Sequence, residues 1–217
     1  MLGLFIAFEG IDHCGKSTQL RKTFSWLDGQ NRPVVFDAEP TDCNPIGRKI
    51  RDILEHREAA PPPFDFQRLF VLDRAQDIIC FIQPALEHGQ IVLRDRYALS
   101  TIAYGMLDRD VNDLIHLHYD VIGRANMLWP DLTILLDISA KTGIKRQRAS
   151  QQTAQLFEKE QMLVRVRQHY LELAQPGHEV GSEMGKITII NGEQTEEKVF
   201  ADIKETVNES LSRLQYD

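Results

Sequence analysis

Cysteine is scarce in this sequence: Cys14, Cys43 and Cys80 are odd in number, widely spaced and form no Cys-x-x-Cys pair. That excludes a disulfide framework and a cysteine-rich zinc site, and it predicts free thiols in a reducing, cytoplasmic setting. Long apolar runs are also missing. No stretch approaches the ~18 residues that span a bilayer, and the first ten residues lead straight into a glycine-containing loop, so neither a membrane span nor a cleavable leader is expected. Basic charge is in deficit, 25 Lys and Arg against 32 Asp and Glu for a net charge of −7. This argues against a broad nucleic-acid or anionic-membrane surface while permitting a local basic pocket. The seven histidines form no His-x-x-x-His or His-Glu-x-x-His pattern. His116 and His118, two apart, would fall on different helix faces, so no histidine metal site is expected. No Asn-Lys dipeptide occurs, which removes the guanine-reading motif of a GTPase. The Asp120–Gly123 pair at Asp-x-x-Gly spacing lies inside a helical pattern, where a switch loop should not be.

What is present is concentrated near the start. Residues 4–18 read LFIAFEGIDHCGKST, an apolar run ending in Gly10, Gly15, Lys16 and Ser17 at the spacing G-x-x-x-x-G-K-[ST]. Two glycines let the backbone curl so that successive N–H groups face phosphate oxygens. Lys16 is then in reach of the β- and γ-phosphates, and the Ser17 hydroxyl can hold Mg2+. A helix beginning near Lys16 aims its positive end at the same anion. The loop Gly10-Ile11-Asp12-His13-Cys14-Gly15-Lys16-Ser17-Thr18 is therefore the expected triphosphate cradle, and a nucleoside triphosphate its expected ligand.

Five short apolar runs read as parallel strands buried on both faces: 4–9, 33–38, 90–95, 131–137 and 186–191. Helical patterns lie between them at 18–28, 46–56, 65–89 with a kink near Pro84, 110–127, 141–150, 158–174 and 196–214. The alternation predicts an α/β fold, a three-layer α/β/α sandwich on a five-stranded parallel sheet, as one domain over 1–217. Ligands of such sheets sit beyond the carboxyl ends of the strands, which draws attention to Glu39, to Asp95-Arg96-Tyr97 and to the segment after Asp137. Asp95 and Asp137 both qualify as the second carboxylate of the metal site, with Asp95 favoured because Arg96 beside it offers a planar fork for phosphate. Phe70 and Arg74, four apart, share a helix face and suit a stacked base and a held monophosphate. Lys145, Arg146 and Arg148, followed by a polar stretch and a new helix, suit a lid near 141–160 carrying a charge-neutralising arginine.

With these residues in hand, the sequence resembles the thymidylate kinase family. The resemblance runs through FEGIDHCGKSTQL, EPTDCNPIGRKIRDIL, LFVLDRAQDI, DRYALSTIAYG, WPDLTILLD and FEKEQMLVRVRQHYLELA. It implies a nucleoside-monophosphate-kinase fold, a homodimer packed through the long 65–89 helix, and Mg-ATP-dependent phosphorylation of dTMP to dTDP. Carried over by motif, Phe70 stacks on thymine, Arg74 and Arg96 hold the monophosphate, and Ser100, Thr101 and Tyr104 face base and sugar. Asp12 lies by the transferring phosphate, Glu39, Arg51 and Phe157 join the substrate set, Arg146 the ATP set, and Arg146 or Arg148 supplies the catalytic charge. Departures from the family pattern are Ala38 before Glu39, His13 in the phosphate loop, Gly105 after Ala103-Tyr104, and Gln155-Leu156 where a lid arginine is common. Three other readings use the same residues: a deoxynucleoside kinase with Glu39 as base, another nucleoside monophosphate kinase, and a nucleotide-binding regulatory module with a decayed acceptor site.

Overall fold

The computed structural model describes residues 3–147, 153–178 and 184–213, without the side chains of 153–158. Five strands, β1 (Leu4–Glu9), β2 (Val34–Ala38), β3 (Ile91–Asp95), β4 (Leu132–Asp137) and β5 (Lys186–Asn191), form one sheet in the order β2-β3-β1-β4-β5. Every pairing is parallel. The strands fall within a residue of the predicted runs, because an apolar run flanked by turns and buried on both faces leaves few alternatives. β1 is central and wholly buried. The strand order reverses beside it, so the loops leaving β1, β3 and β4 converge at one crevice.

Helices cover both faces: α1 (Lys16–Asp28), α2 (Pro45–Leu54), α3 (Pro63–Asp77), α4 (Gln83–Glu87), α5 (Ala98–Gly105), α6 (Val111–Ile122), α7 (Ala140–Gln147), α8 (Thr153–Leu173) and α9 (Glu196–Arg213). The helix predicted over 65–89 is instead α3, a wide turn over Ile78–Ile82 with i→i+5 bonding, and α4. Pro84 has no N–H and its ring would strike the carbonyl four residues back; widening the preceding turn avoids that clash, so the irregularity precedes the proline. The pattern over 110–127 narrows to α6, whose N-cap is the Asp110 side chain and whose end is set by Gly123 at φ 85°. α5 was not expected. Seven of its eight residues are buried, so it shows no alternation of polar and apolar faces to reveal a helix.

Two devices steady the crevice. Asp73 on α3 accepts bonds from the Thr41 amide (2.8 Å), the Thr41 hydroxyl (2.6 Å) and Asn44 (2.6 Å), tying the Glu39–Asn44 loop to α3. Glu9, fully buried at the end of β1, accepts from the amides of Tyr97 (2.8 Å) and Ser100 (3.1 Å) and from the Tyr170 hydroxyl (3.2 Å), clamping the start of α5 and the body of α8 to the central strand. Burial pushes the Glu9 carboxyl up, and the bond from Ser100 and the charge of Arg96 partly offset that push.

Candidate active site

The phosphate loop leaves β1 through Gly10 at φ 137° and enters α1 through Gly15 at φ 104°. A Cβ at Gly10 would stand 2.5 Å from the Leu136 carbonyl oxygen, so the loop can lie this close to β4 only with glycine there. Lys16, the first residue of α1, is buried and folds back to donate to the carbonyls of Gly10 and Ile11 at 3.0 Å each. His13, at φ 63°, forms the outer bend. From α7, Arg146 donates to the carbonyls of His13 and Cys14 at 3.3 Å and of Gly192 at 3.0 Å. Loop, α1 and Arg146, with Gly192, Gln194 and Glu196 opposite, enclose a cavity of about 510 Å³.

Ser17 donates its hydroxyl to Asp95. Asp137, the rival carboxylate, is held at both oxygens by Arg167 at 2.7 and 2.9 Å. The geometry therefore puts Asp95, and not Asp137, beside the serine expected to bind metal.

A second cavity, about 190 Å³, opens on the other side of Asp12. Phe66 and Phe70 of α3 and Tyr104 of α5 give it apolar walls; Glu39, Ser100 and Thr101 give it polar ones; Arg96 stands at the end nearest the phosphate loop. Arg96 has a left-handed backbone, φ 68°, unusual for a residue with a Cβ and of the kind kept at functional sites. Its guanidinium pairs with Asp12, donates to Ser100 Oγ at 3.0 Å and lies over the Tyr104 ring at 5.5 Å. Burial works to raise the Asp12 pKa, but Arg96, Lys16 and Lys159 around it win, and its carboxyl is held below the usual range.

Several expected contacts are placed differently. Arg74 does not offer its fork to this cavity. It is fully buried behind the wall, where Nε and Nη2 bind both oxygens of Glu39, Nη2 also meets Thr101 Oγ1 at 3.0 Å, and Nη1 donates to His118 Nε2 at 2.6 Å. The helix spacing that put Arg74 beside Phe70 was right, but Glu39, distant in sequence, neutralises it. Arg51 braces the loop through the Pro40 carbonyl and Asp42, and is not on the cavity wall. Gly105 does not enlarge the pocket: a Cβ there would meet Leu114 Cδ2 at 2.5 Å, so the glycine serves the contact of α5 with α6. Arg148 and the Phe157 side chain lie outside the described residues, as does part of the expected lid. Lys159, not singled out from the sequence, stands 3.6 Å from Asp12.

Such a cleft, a phosphate loop with one cavity along it and a second, aromatic-walled cavity beside Asp12 and Arg96, defines a P-loop phosphotransferase. The family model for thymidylate kinase matches residues 8–203. Among similar proteins are the thymidylate kinases of Maridesulfovibrio salexigens, 35% identical with 96% of each chain covered, and of Geobacter sulfurreducens, 38% identical with 88% of this chain and 90% of that one covered. The thymidylate kinase of Leifsonia xyli subsp. xyli is 36% identical over 93% of both chains. The chain belongs to the thymidylate kinase family.

Proposed function

We propose that the larger cavity takes ATP, the smaller takes dTMP, and the γ-phosphoryl group passes between them at Asp12 and Arg96 to give dTDP and ADP. The observation that carries this reading is a pair of cavities at the phosphate loop: a polar one lined from His13 to Gln19, and an apolar one walled by Phe70 and Tyr104 with Asp12 and Arg96 in its lining. An aromatic wall suits a pyrimidine ring, and a guanidinium beside it suits a monophosphate. The acceptor phosphate is already an oxygen nucleophile, so the residues need to align it and neutralise charge; no strong base is required. Lys16 serves the donor phosphates, Arg96 the acceptor phosphate, and Arg146 the donor cavity. Ser17 and Asp95 offer hard oxygen donors that fit a Mg2+ ion carried with ATP, and when bound it would neutralise phosphate charge.

The deoxynucleoside-kinase reading needs Glu39 as a base. With both oxygens held by Arg74, Glu39 is a committed ion-pair partner. The departures at Ala38, His13 and Gly105 leave both cavities intact, which counts against a decayed site. We further infer a homodimer through the α3 region, where Ile79 on the wide turn is 69% exposed. The free state of Cys14, Cys43 and Cys80 supports a cytoplasmic setting. Among the described residues no helix is long and apolar enough to cross a membrane.

Coupled turnover with ATP and a panel of dTMP, dUMP, dCMP, dGMP, dAMP and thymidine tests the reading. We expect dTMP best and dUMP poorer, since one methyl in a fitted slot is worth only ~1–3 kcal/mol. Purine monophosphates and thymidine should fail. Equal turnover of dGMP would refute the thymine assignment, and preferred turnover of thymidine would refute the monophosphate acceptor. Sedimentation at micromolar concentration reads the dimer.

A further inference from the structure

Glu9 is a fully buried carboxylate that lines neither cavity, and the transfer proposed above gives it no part. A carboxylate withdrawn from water needs compensating donors, and Glu9 is surrounded by them. Its Oε1 accepts from the amides of Tyr97 (2.8 Å) and Ser100 (3.1 Å), and its Oε2 accepts from the Ser100 hydroxyl. An ionised carboxyl only accepts, while a serine hydroxyl has one proton and two lone pairs. Glu9 therefore draws the single proton of Ser100 Oγ to itself and leaves that oxygen an acceptor toward its other neighbours. One of these is Arg96, whose Nη1 donates to Ser100 Oγ at 3.0 Å. The other is Tyr170 on α8, whose hydroxyl is 2.7 Å from Ser100 Oγ and 3.2 Å from Glu9 Oε2 and directs its proton into the same pair.

Arg96 is thus held from two sides that differ in access to water. On the loop side its guanidinium pairs with Asp12, whose side chain is 34% exposed, and Nη1 also reaches the Gly10 carbonyl at 3.3 Å. On the inner side stands Ser100, itself buried and backed by Glu9. An arriving phosphate can compete with the exposed carboxylate of Asp12, while the shielded bond to Ser100 persists. That bond also steadies a side chain whose backbone sits at φ 68°, a conformation that needs support from its surroundings. We propose that Glu9 is a positioning residue for the acceptor phosphate, holding the Arg96 guanidinium in place through Ser100, so that Ser100 acts on the phosphate by way of Arg96 and not on the base. The inference rests on the reading of the smaller cavity as the dTMP site with Arg96 at its phosphate.

Glu9→Gln keeps the size of the side chain and a carbonyl oxygen for the two amides, but its NH2 group donates where Oε2 accepted, so the bond with Ser100 reverses. Calorimetry with dTMP and with thymidine, which has the same base and sugar and no phosphate, separates support of Arg96 from a general loosening of the cavity. Glu9→Gln should lower dTMP affinity about tenfold, an ordinary coupling within one hydrogen-bond network, and leave thymidine and ADP within about twofold of the unaltered protein. In an Arg96→Ala background the same substitution should change dTMP affinity by less than about twofold, because the group it acts through is gone. Ser100→Ala breaks the same link while leaving Glu9 its bond from the Tyr97 amide and its contact with Tyr170; it should show the same loss for dTMP alone, and it decides the question by itself if Glu9→Gln does not fold. Equal losses for dTMP and thymidine, an undiminished loss in the Arg96→Ala background, or dTMP affinity within about twofold in the variants would each overturn the assignment. Thymidine bound by the unaltered protein as tightly as dTMP would instead overturn the underlying reading of Arg96 and its cavity.

Discussion

His118 offers a measurable link between acidity and Arg74, which backs the wall of the smaller cavity through Glu39 and Thr101. It is completely buried on α6; Nδ1–H donates to the Leu114 carbonyl at 2.7 Å, which leaves Nε2 to accept from Arg74 at 2.6 Å. Protonation would oppose two cations inside the protein. Burial, and then the charge of Arg74, push the imidazole down to about 3, against 6.5 for an ordinary histidine. The unfolded chain therefore binds one more proton than the folded one between those values, so stability rises with pH from about 3 to 6.5 and is flat above. At pH 5 the unfolded imidazole is nearly all charged and the folded one is not, a difference of about 2 kcal/mol from this one group. His118→Gln keeps an acceptor for Arg74 and cannot titrate. It should lower stability at pH 7.5 by about 1 kcal/mol for the lost bond to Leu114, but flatten the acid slope. Urea unfolding of both proteins at pH 7.5 and 5 measures the double difference: the unaltered protein should lose about 2 kcal/mol more than the variant. Parallel losses would show that His118 is not held neutral by Arg74, and the described coupling would fall.

Three further outcomes follow from the same geometry. Lys16→Ala should keep the circular dichroism of the fold and lose turnover; retention of more than about a tenth of kcat, roughly 1.4 kcal/mol of barrier, would contradict its placement at the donor phosphates. Arg96→Ala should weaken dTMP binding by ~1.5–3 kcal/mol with ATP binding little changed, whereas Arg74→Ala should chiefly cost stability, about 3–5 kcal/mol, because Glu39 would be left buried without its partner. Urea unfolding and calorimetry on the pair separate these roles, and equal effects would refute the division between the two arginines. Gly105→Ala should destabilise by about 1–3 kcal/mol through the clash with Leu114 while leaving base preference unchanged, as read by unfolding and by the nucleotide panel.

The strands were legible because an apolar run between turn signals, buried on both faces, has few other fates. The phosphate loop was legible because its chemistry fixes residue types at fixed spacing. α5 was hidden by its own burial, which erases the polar face that marks a helix. The pairing of Arg74 was not legible for a different reason. Its neighbour Phe70 is four residues away, but the partner that decides its role, Glu39, is 35 positions earlier and arrives only through the β2–β3 pairing and the α2–α3 contact. The place of Lys159 beside Asp12 was not legible because it depends on which face of α8 turns inward, and that is set by where Leu163, Val166 and Tyr170 find the core.

The cations of this cleft are each supplied with an internal partner: carbonyl oxygens for Lys16 and Arg146, and the single carboxylate of Asp12 shared by Arg96 and Lys159. Nucleotide entry is therefore an exchange of ligands and not the capture of bare charge. A small anion that satisfies one cation must break a contact nearly as good as the one it makes. A ligand bearing several linked phosphates replaces several partners in a single event and loses its translational freedom once. The cleft is thus expected to select by the number and linkage of phosphates before any base is read, with inorganic phosphate a poor competitor for it.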